Sequence, residues 1–182
     1  GMQYPVLDTG SRILDTFRAR SARAPASTLI VPPMKVAILM GSIKDSEKMQ
    51  PASDVLTEFG IEHEVHVMSA HRTPQRVAEF ATAARANGYG AIICGAGKAA
   101  HLAGAVAAHS DLPVIGVPIA AGKLGGMDAL LSTVQMPTGI PVATVAVDSS
   151  ANAAYLAAAI LSLLDGGVAA HLAAYREGLK GD

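Results

Sequence analysis

The chain has 182 residues, of which 51% are hydrophobic and 16% charged, and its formal charge is -1. That length suits one domain able to bury about 70% of its unfolded surface, and so small a net charge offers no field for drawing in a polyanion. No Lys/Arg run with interleaved aromatics marks a nucleic-acid face, no apolar run reaches the ~18 residues of a membrane span, and the single cysteine, Cys94, excludes an internal disulfide or a multi-cysteine zinc site.

Residues 1–34 read as an N-terminal arm and linker. Gly1-Met2 looks like a remnant ahead of the true start, Ser11 suits the cap of a short helix with Ile13, Leu14 and Phe17 on one face, and Ala24-Pro25 to Pro32-Pro33 reads as extended. Nothing in this stretch has the apolar core of a secretory signal, and a lone thiol is in keeping with a reducing cytoplasm.

From Lys35 to Asp182 short β-branched runs alternate with helical patterns. Strands are expected at Val36–Met40, Glu62–Val67, Ala91–Cys94, Val114–Val117 and Val142–Val147. Helices are expected near 46–59, 74–87, 99–109, 126–134, 151–164 and 168–178. Such alternation specifies an α/β fold, a flavodoxin-like three-layer sandwich with a central parallel sheet, whose ligands sit beyond the carboxyl ends of the strands. With only 4% aromatic residues the core must be Ala, Val, Ile and Leu, and the surplus of apolar surface favours an oligomer.

Three strand-to-helix loops carry groups suited to chemistry. The first, Gly41-Ser42-Ile43-Lys44-Asp45-Ser46, offers a hydroxyl, a cation and backbone N–H groups where a helix begins, which is what a phosphate needs. It reads equally as a helix cap at Asp45 or Ser46, and Pro51 implies a delayed or bent helix start. The second, Ser69-Ala70-His71-Arg72-Thr73-Pro74, sets an imidazole beside a guanidinium at a helix mouth, with Thr73 as the natural N-cap. The alternative is a His71 donating to a backbone carbonyl and an Arg72 paired with an acid. The third, Gly95-Ala96-Gly97-Lys98-Ala99-Ala100-His101, lets a planar ligand or carboxylate approach the backbone, or is only a tight turn. His101 reads as a packing histidine one turn into its helix, Cys94 as a small core residue, and His109 and His171 as surface groups; His63 and His66 alternate along a strand, facing solvent or a subunit contact.

Taken together, these loops resemble the class I PurE family, the N5-carboxyaminoimidazole ribonucleotide mutases of purine biosynthesis. The match rests on the Ser69–Pro74 hexapeptide, Gly95-Ala96-Gly97 with Ala99-Ala100-His101-Leu102, Leu112-Pro113-Val114-Ile115-Gly116-Val117-Pro118, Val134-Gln135-Met136-Pro137, Pro141-Val142-Ala143-Thr144 and Asn152-Ala153-Ala154, in order and spacing. The resemblance implies a flavodoxin-like subunit of a homo-octamer, needing neither metal nor organic cofactor. It implies a ribonucleotide whose carboxylate moves from an exocyclic amine to carbon 4 of its imidazole ring, through a CO2 that stays trapped, with His71 as the proton-transfer residue. By the same resemblance Ser42, Asp45 and Arg72 hold the phosphoribosyl group, and Ser69, Ala70 and Gly97 line the base and carboxylate pocket.

The departures from the family pattern are Lys44 for a serine, Lys98 for a glycine, Ala103 for a proline, Ala129 for a serine, and a shorter Asp148-Ser149-Ser150-Ala151 stretch. Lys98 either points outward or binds a second anionic group. The two lysines leave open a carboxylase or lyase acting on aminoimidazole ribonucleotide with CO2, or on another carboxylated ribonucleotide. A non-enzymatic flavodoxin-like binding module is the remaining alternative, although the chain has no acidic pair after strand one and few aromatics to sandwich a flavin.

Overall fold

The computed structural model describes residues 34–181, so the arm and linker expected over residues 1–34 lie outside the described residues except for Met34. The chain then runs β1 (Lys35–Met40), a 3-10 turn (Ile43–Asp45), α1 (Ser46–Glu58), β2 (His63–Val67), α2 (Pro74–Ala83), β3 (Tyr89–Gly97) and α3 (Leu102–His109). It continues through β4 (Val114–Ile119), α4 (Met127–Val134), β5 (Ala143–Thr144), α5 (Ser150–Leu161) and α6 (Gly166–Gly178). The strands pair in parallel in the order β2-β1-β3-β4-β5. This is the flavodoxin-like order, with the reversal of strand progression between β1 and β3.

Alternation along the central strands feeds two cores. Val36, Ile38, Ile93, Ile115 and Val117 face α1, α5 and α6, while Ala37, Leu39, Ile92, Cys94 and Val114 face α2 and α3. Both faces are covered, which is why β1, β3 and β4 read as nearly continuous apolar runs. On α5 the fully buried Ala153, Ala154, Ala157 and Ala158 supply small side chains against the sheet and α1. The few aromatics gather where α6 closes that face: Tyr155 stacks on Tyr175 at 4.6 Å, with Phe59 edge-on to both. No helix among the described residues is long and apolar enough to cross a membrane.

Four expectations need correction, each for a local reason. The last strand, expected over 142–147, is only Ala143–Thr144, because Pro118 on β4 has no N–H to carry the ladder on; Asp148 N instead donates to the Pro118 carbonyl at 2.9 Å. Helix α1 is neither delayed nor interrupted: the 3-10 turn leads into it and it continues through Pro51, which is exposed and leaves only the Glu47 carbonyl without its i+4 donor. Thr73 precedes α2 without capping it. Its hydroxyl donates to the Ser69 carbonyl at 3.1 Å and accepts from Ser69 N at 3.0 Å, tying the hexapeptide into a closed turn. Helix α3 begins at Leu102 and not near 99, because Lys98 sits in the left-handed region at φ 58° and breaks the approach.

On the edge strand, Glu64 accepts from Lys35 Nζ at 2.5 Å and from the Tyr89 hydroxyl at 2.6 Å. These two hydrogen bonds, Lys35 first, hold its carboxyl down at about 2. A carboxylate depressed on folding stabilises above its ordinary value near 4.5, and that contribution is lost as pH falls through the folded value. Stability is therefore expected to decline between pH ~4.5 and ~2 with a component that Glu64→Gln abolishes, measured as urea midpoints across that range.

Candidate active site

The loops after β1, β2, β3 and β4 enclose a cleft of about 580 Å³ beside the β1–β3 reversal. Every site residue read from the sequence lines it: Ser42 and Asp45 from the first loop, Ser69, Ala70, His71 and Arg72 from the second, Gly97 and Lys98 from the third. Helices α1, α2 and α3 begin at the cleft, and none has a side chain capping its first N–H groups. Three positive helix ends are thus directed toward one space. The only side-chain cap here is on the 3-10 turn, where Ser42 Oγ accepts from Lys44 N at 3.3 Å.

Arg72 reaches back from the second loop to the first, its Nη2 donating to the Gly41 carbonyl at 2.8 Å. Neither alternative for Arg72 and His71 is what occurs: no acid pairs with Arg72 at contact distance among the described residues, and His71 meets a second imidazole. Its Nε2 lies 2.8 Å from Nδ1 of His101, the rings meeting edge to face at 4.9 Å. One nitrogen donates and the other accepts, so the contact fixes complementary tautomers. His101 is not a packing residue. It is the exposed N-terminal boundary residue of α3, moved to the cleft rim by the late helix start.

Asp45 is half-buried at the cleft wall. Burial raises its carboxyl above the ordinary value, against the backbone hydrogen bond at Ser42 and the charges of Lys48 and Arg72. The Cys94 thiol is driven up by complete burial and takes no part in the site. His63 hydrogen-bonds Ser53 Oγ at 2.6 Å, His66 lies against Phe80 and Tyr89, and His109 and His171 are exposed. No three His, Cys, Asp or Glu converge among the described residues.

Sequence reading missed the fourth wall. Ala120 and Ala121, just past β4, line the cleft, and Gly97 is held so close beneath them that a Cβ there would lie 2.9 Å from Ala121 Cβ and 3.0 Å from the Ile119 carbonyl. Lys48 fixes this wall by donating to the Ala120 carbonyl and to Asp148 Oδ2, each at 2.7 Å, while Ala120 N donates to Asp148 Oδ1 at 2.8 Å. The rule that every strand exit in a parallel sheet faces the ligand was the available signal for Ala120 and Ala121. Nothing local marked Lys48 and Asp148 as partners.

A doubly wound sheet with a small, polar-rimmed cleft at its strand reversal defines a flavodoxin-like α/β protein built around a small-molecule site. Within that class the chain belongs to the AIR carboxylase family, whose model matches residues 35–182. It is 56% identical over 128 residues to the N5-carboxyaminoimidazole ribonucleotide mutase of Aquifex aeolicus, covering 70% of this chain and 77% of that protein. It is 51% identical over 144 residues to the mutase of the same name from Brucella melitensis, covering 78% and 89%. The crystal structure of Treponema denticola PurE superposes with a TM-score of 0.74 at 33% identity, over 80% of this chain and 91% of that one.

Proposed function

We propose that this chain is an N5-carboxyaminoimidazole ribonucleotide mutase, acting in purine biosynthesis with His71 as its general acid and base. The Aquifex aeolicus and Brucella melitensis relatives are named for this activity, and the placement of His71 in the cleft supports the mechanism. The exocyclic N–carboxylate bond breaks, CO2 leaves, and His71 gives the nitrogen a proton. Carbon 4 of the resulting aminoimidazole then attacks the CO2, forming the new C–C bond, and His71 takes the proton displaced from carbon 4. The proton lent in the first half returns in the second, so no net acid or base is consumed. Small residues and backbone amides around Ala70, Ala96 and Gly97 suit holding CO2 away from bulk water between the two halves.

Ser42, Arg72 and the open N-terminus of α1 are the phosphate ligands in this reading, with Asp45 accepting from the ribose hydroxyls; Ser69, Ala70 and Gly97 line the base. Support comes from their convergence on one cleft and from Arg72 lying on the Gly41 carbonyl. A homo-octamer belongs to the same proposal. Met127, Leu131 and Val134 lie at helical spacing along α4 and are all at least 46% exposed, an apolar stripe that another copy would cover. The buried lone thiol is in keeping with a cytoplasmic setting.

The test is to supply N5-carboxyaminoimidazole ribonucleotide and follow the 4-carboxylate isomer, with light scattering on the same sample. Isomerisation without added bicarbonate by an octameric species is expected. Product formed only from aminoimidazole ribonucleotide and CO2 would instead assign a carboxylase.

A further inference from the structure

The cleft holds four cationic side chains, and two have hydrogen-bond partners that account for them. Lys48 is taken up by Asp148 and the Ala120 carbonyl, and Arg72 lies over the first loop. Lys44 stands on that same first loop, its backbone N–H donating to Ser42 Oγ. Lys98 stands across the cleft and, like Lys44, forms no ion pair with the described residues, but its backbone adopts φ 58°, a conformation that residues other than glycine rarely take.

Its side chain is supported from the fourth wall. At Gly122, itself at φ 83°, an added Cβ would lie 3.3 Å from Lys98 Cε and 3.9 Å from Cγ, so the lysine stem runs across the face of that glycine. Gly122 follows the segment that Lys48 and Asp148 clamp, so the stem rests on a braced surface. The sheet order then sets the spacing. The first loop leaves β1 and Gly122 follows β4, with β3 between them, and two strand intervals amount to about 10 Å. A ligand whose phosphate sits over the first loop therefore presents its far end to Lys98.

We infer that Lys98 recognises the carboxylate of the substrate, making the site selective for the carboxylated over the uncarboxylated aminoimidazole ribonucleotide. This rests on the mutase reading above. An ammonium on a flexible stem can follow the carboxylate from the exocyclic nitrogen to carbon 4, so it binds substrate and product alike. Its loss therefore acts on KM more than on kcat.

The experiment measures, by calorimetry in the non-converting His71→Asn background, the Kd of 4-carboxyaminoimidazole ribonucleotide and of aminoimidazole ribonucleotide, with Lys98, Lys98→Met and Lys98→Arg. Lys98→Met is expected to weaken the carboxylated ligand by ~10-fold or more, as loss of a charged hydrogen bond does, and the uncarboxylated one by less than ~2-fold. Lys98→Arg should recover most of the difference. In the turnover assay with His71 present, KM should rise in the same proportion while kcat stays within ~3-fold. Equal weakening of both ligands would mean that Lys98 reads the phosphate, and no change in either that it faces solvent; each overturns the inference. A wild-type chain that binds both ligands but never interconverts the carboxylates would overturn the mutase reading instead, leaving the ratio of the two Kd values to decide the role of Lys98.

Discussion

Replacing His71 by asparagine is expected to lower kcat by roughly 10²–10⁴-fold while leaving ligand affinity within a few-fold. Asparagine places its amide where the imidazole Nδ1 lies and falls short of the Nε2 position that meets Nδ1 of His101 at 2.8 Å, so that contact is given up, while the Ser69–Thr73 hydrogen bonds that close the turn are untouched and the rim of the cleft should keep its shape. It cannot take up and return a proton near neutral pH. In the proposed mechanism both half-reactions need that transfer, one to nitrogen and one from carbon. Single-turnover isomerisation paired with calorimetric binding checks this. A variant retaining wild-type turnover would remove His71 from the mechanism, whereas one that failed to bind would show it to be a structural member of the cleft.

The largest effect on stability is expected at Gly116, on β4. A methyl group there would overlap the Thr133 side-chain methyl and lie 3.0 Å from Val142 Cγ1 and 3.4 Å from Ala103 Cβ. Thr133 cannot turn aside, because its buried hydroxyl donates to the Ala129 carbonyl at 2.7 Å and fixes the rotamer. Gly116→Ala should therefore destabilise by about 1–3 kcal/mol, the usual range for overpacking, and lower Tm by roughly 3–10 °C. Adding Thr133→Ser deletes the offending methyl and keeps the hydroxyl bond, so the double variant should be more stable than Gly116→Ala alone, which thermal scans of the four proteins would reveal. Additive losses would show that the strain arises elsewhere.

Most of the framework was legible because it is written in short-range patterns. Apolar runs buried on both faces announced β1, β3 and β4, and Thr73-Pro74 located the start of α2 even though the hydroxyl serves the loop. The eight site positions named from the sequence all reach one cleft, since strand exits share an end of the sheet in any parallel fold. The misreadings trace to features without a local signature. His101 reads as a packing residue one turn into a helix, and it reaches the rim because the left-handed backbone at Lys98, rare for lysine, shifts the helix start. The short β5 follows from a proline on the neighbouring strand, not from its own sequence. Lys48 and Asp148 stand a hundred positions apart and become partners only once the sheet is assembled.

That last pairing bears on the order in which the molecule takes shape. The β1–β3 half of the cleft joins neighbouring strands, but the wall at Ala120 needs Lys48 from the beginning of the domain and Asp148 from near its end, with Ser150 donating to the Lys48 carbonyl at 2.6 Å across a similar span. Such distant closures carry a loop entropy that early contacts cannot repay. A chain emerging from synthesis therefore possesses the loops after β1 and β2 before it possesses an enclosure, and the confinement of CO2 that the proposed mechanism requires arrives only when the segment beginning α5 docks.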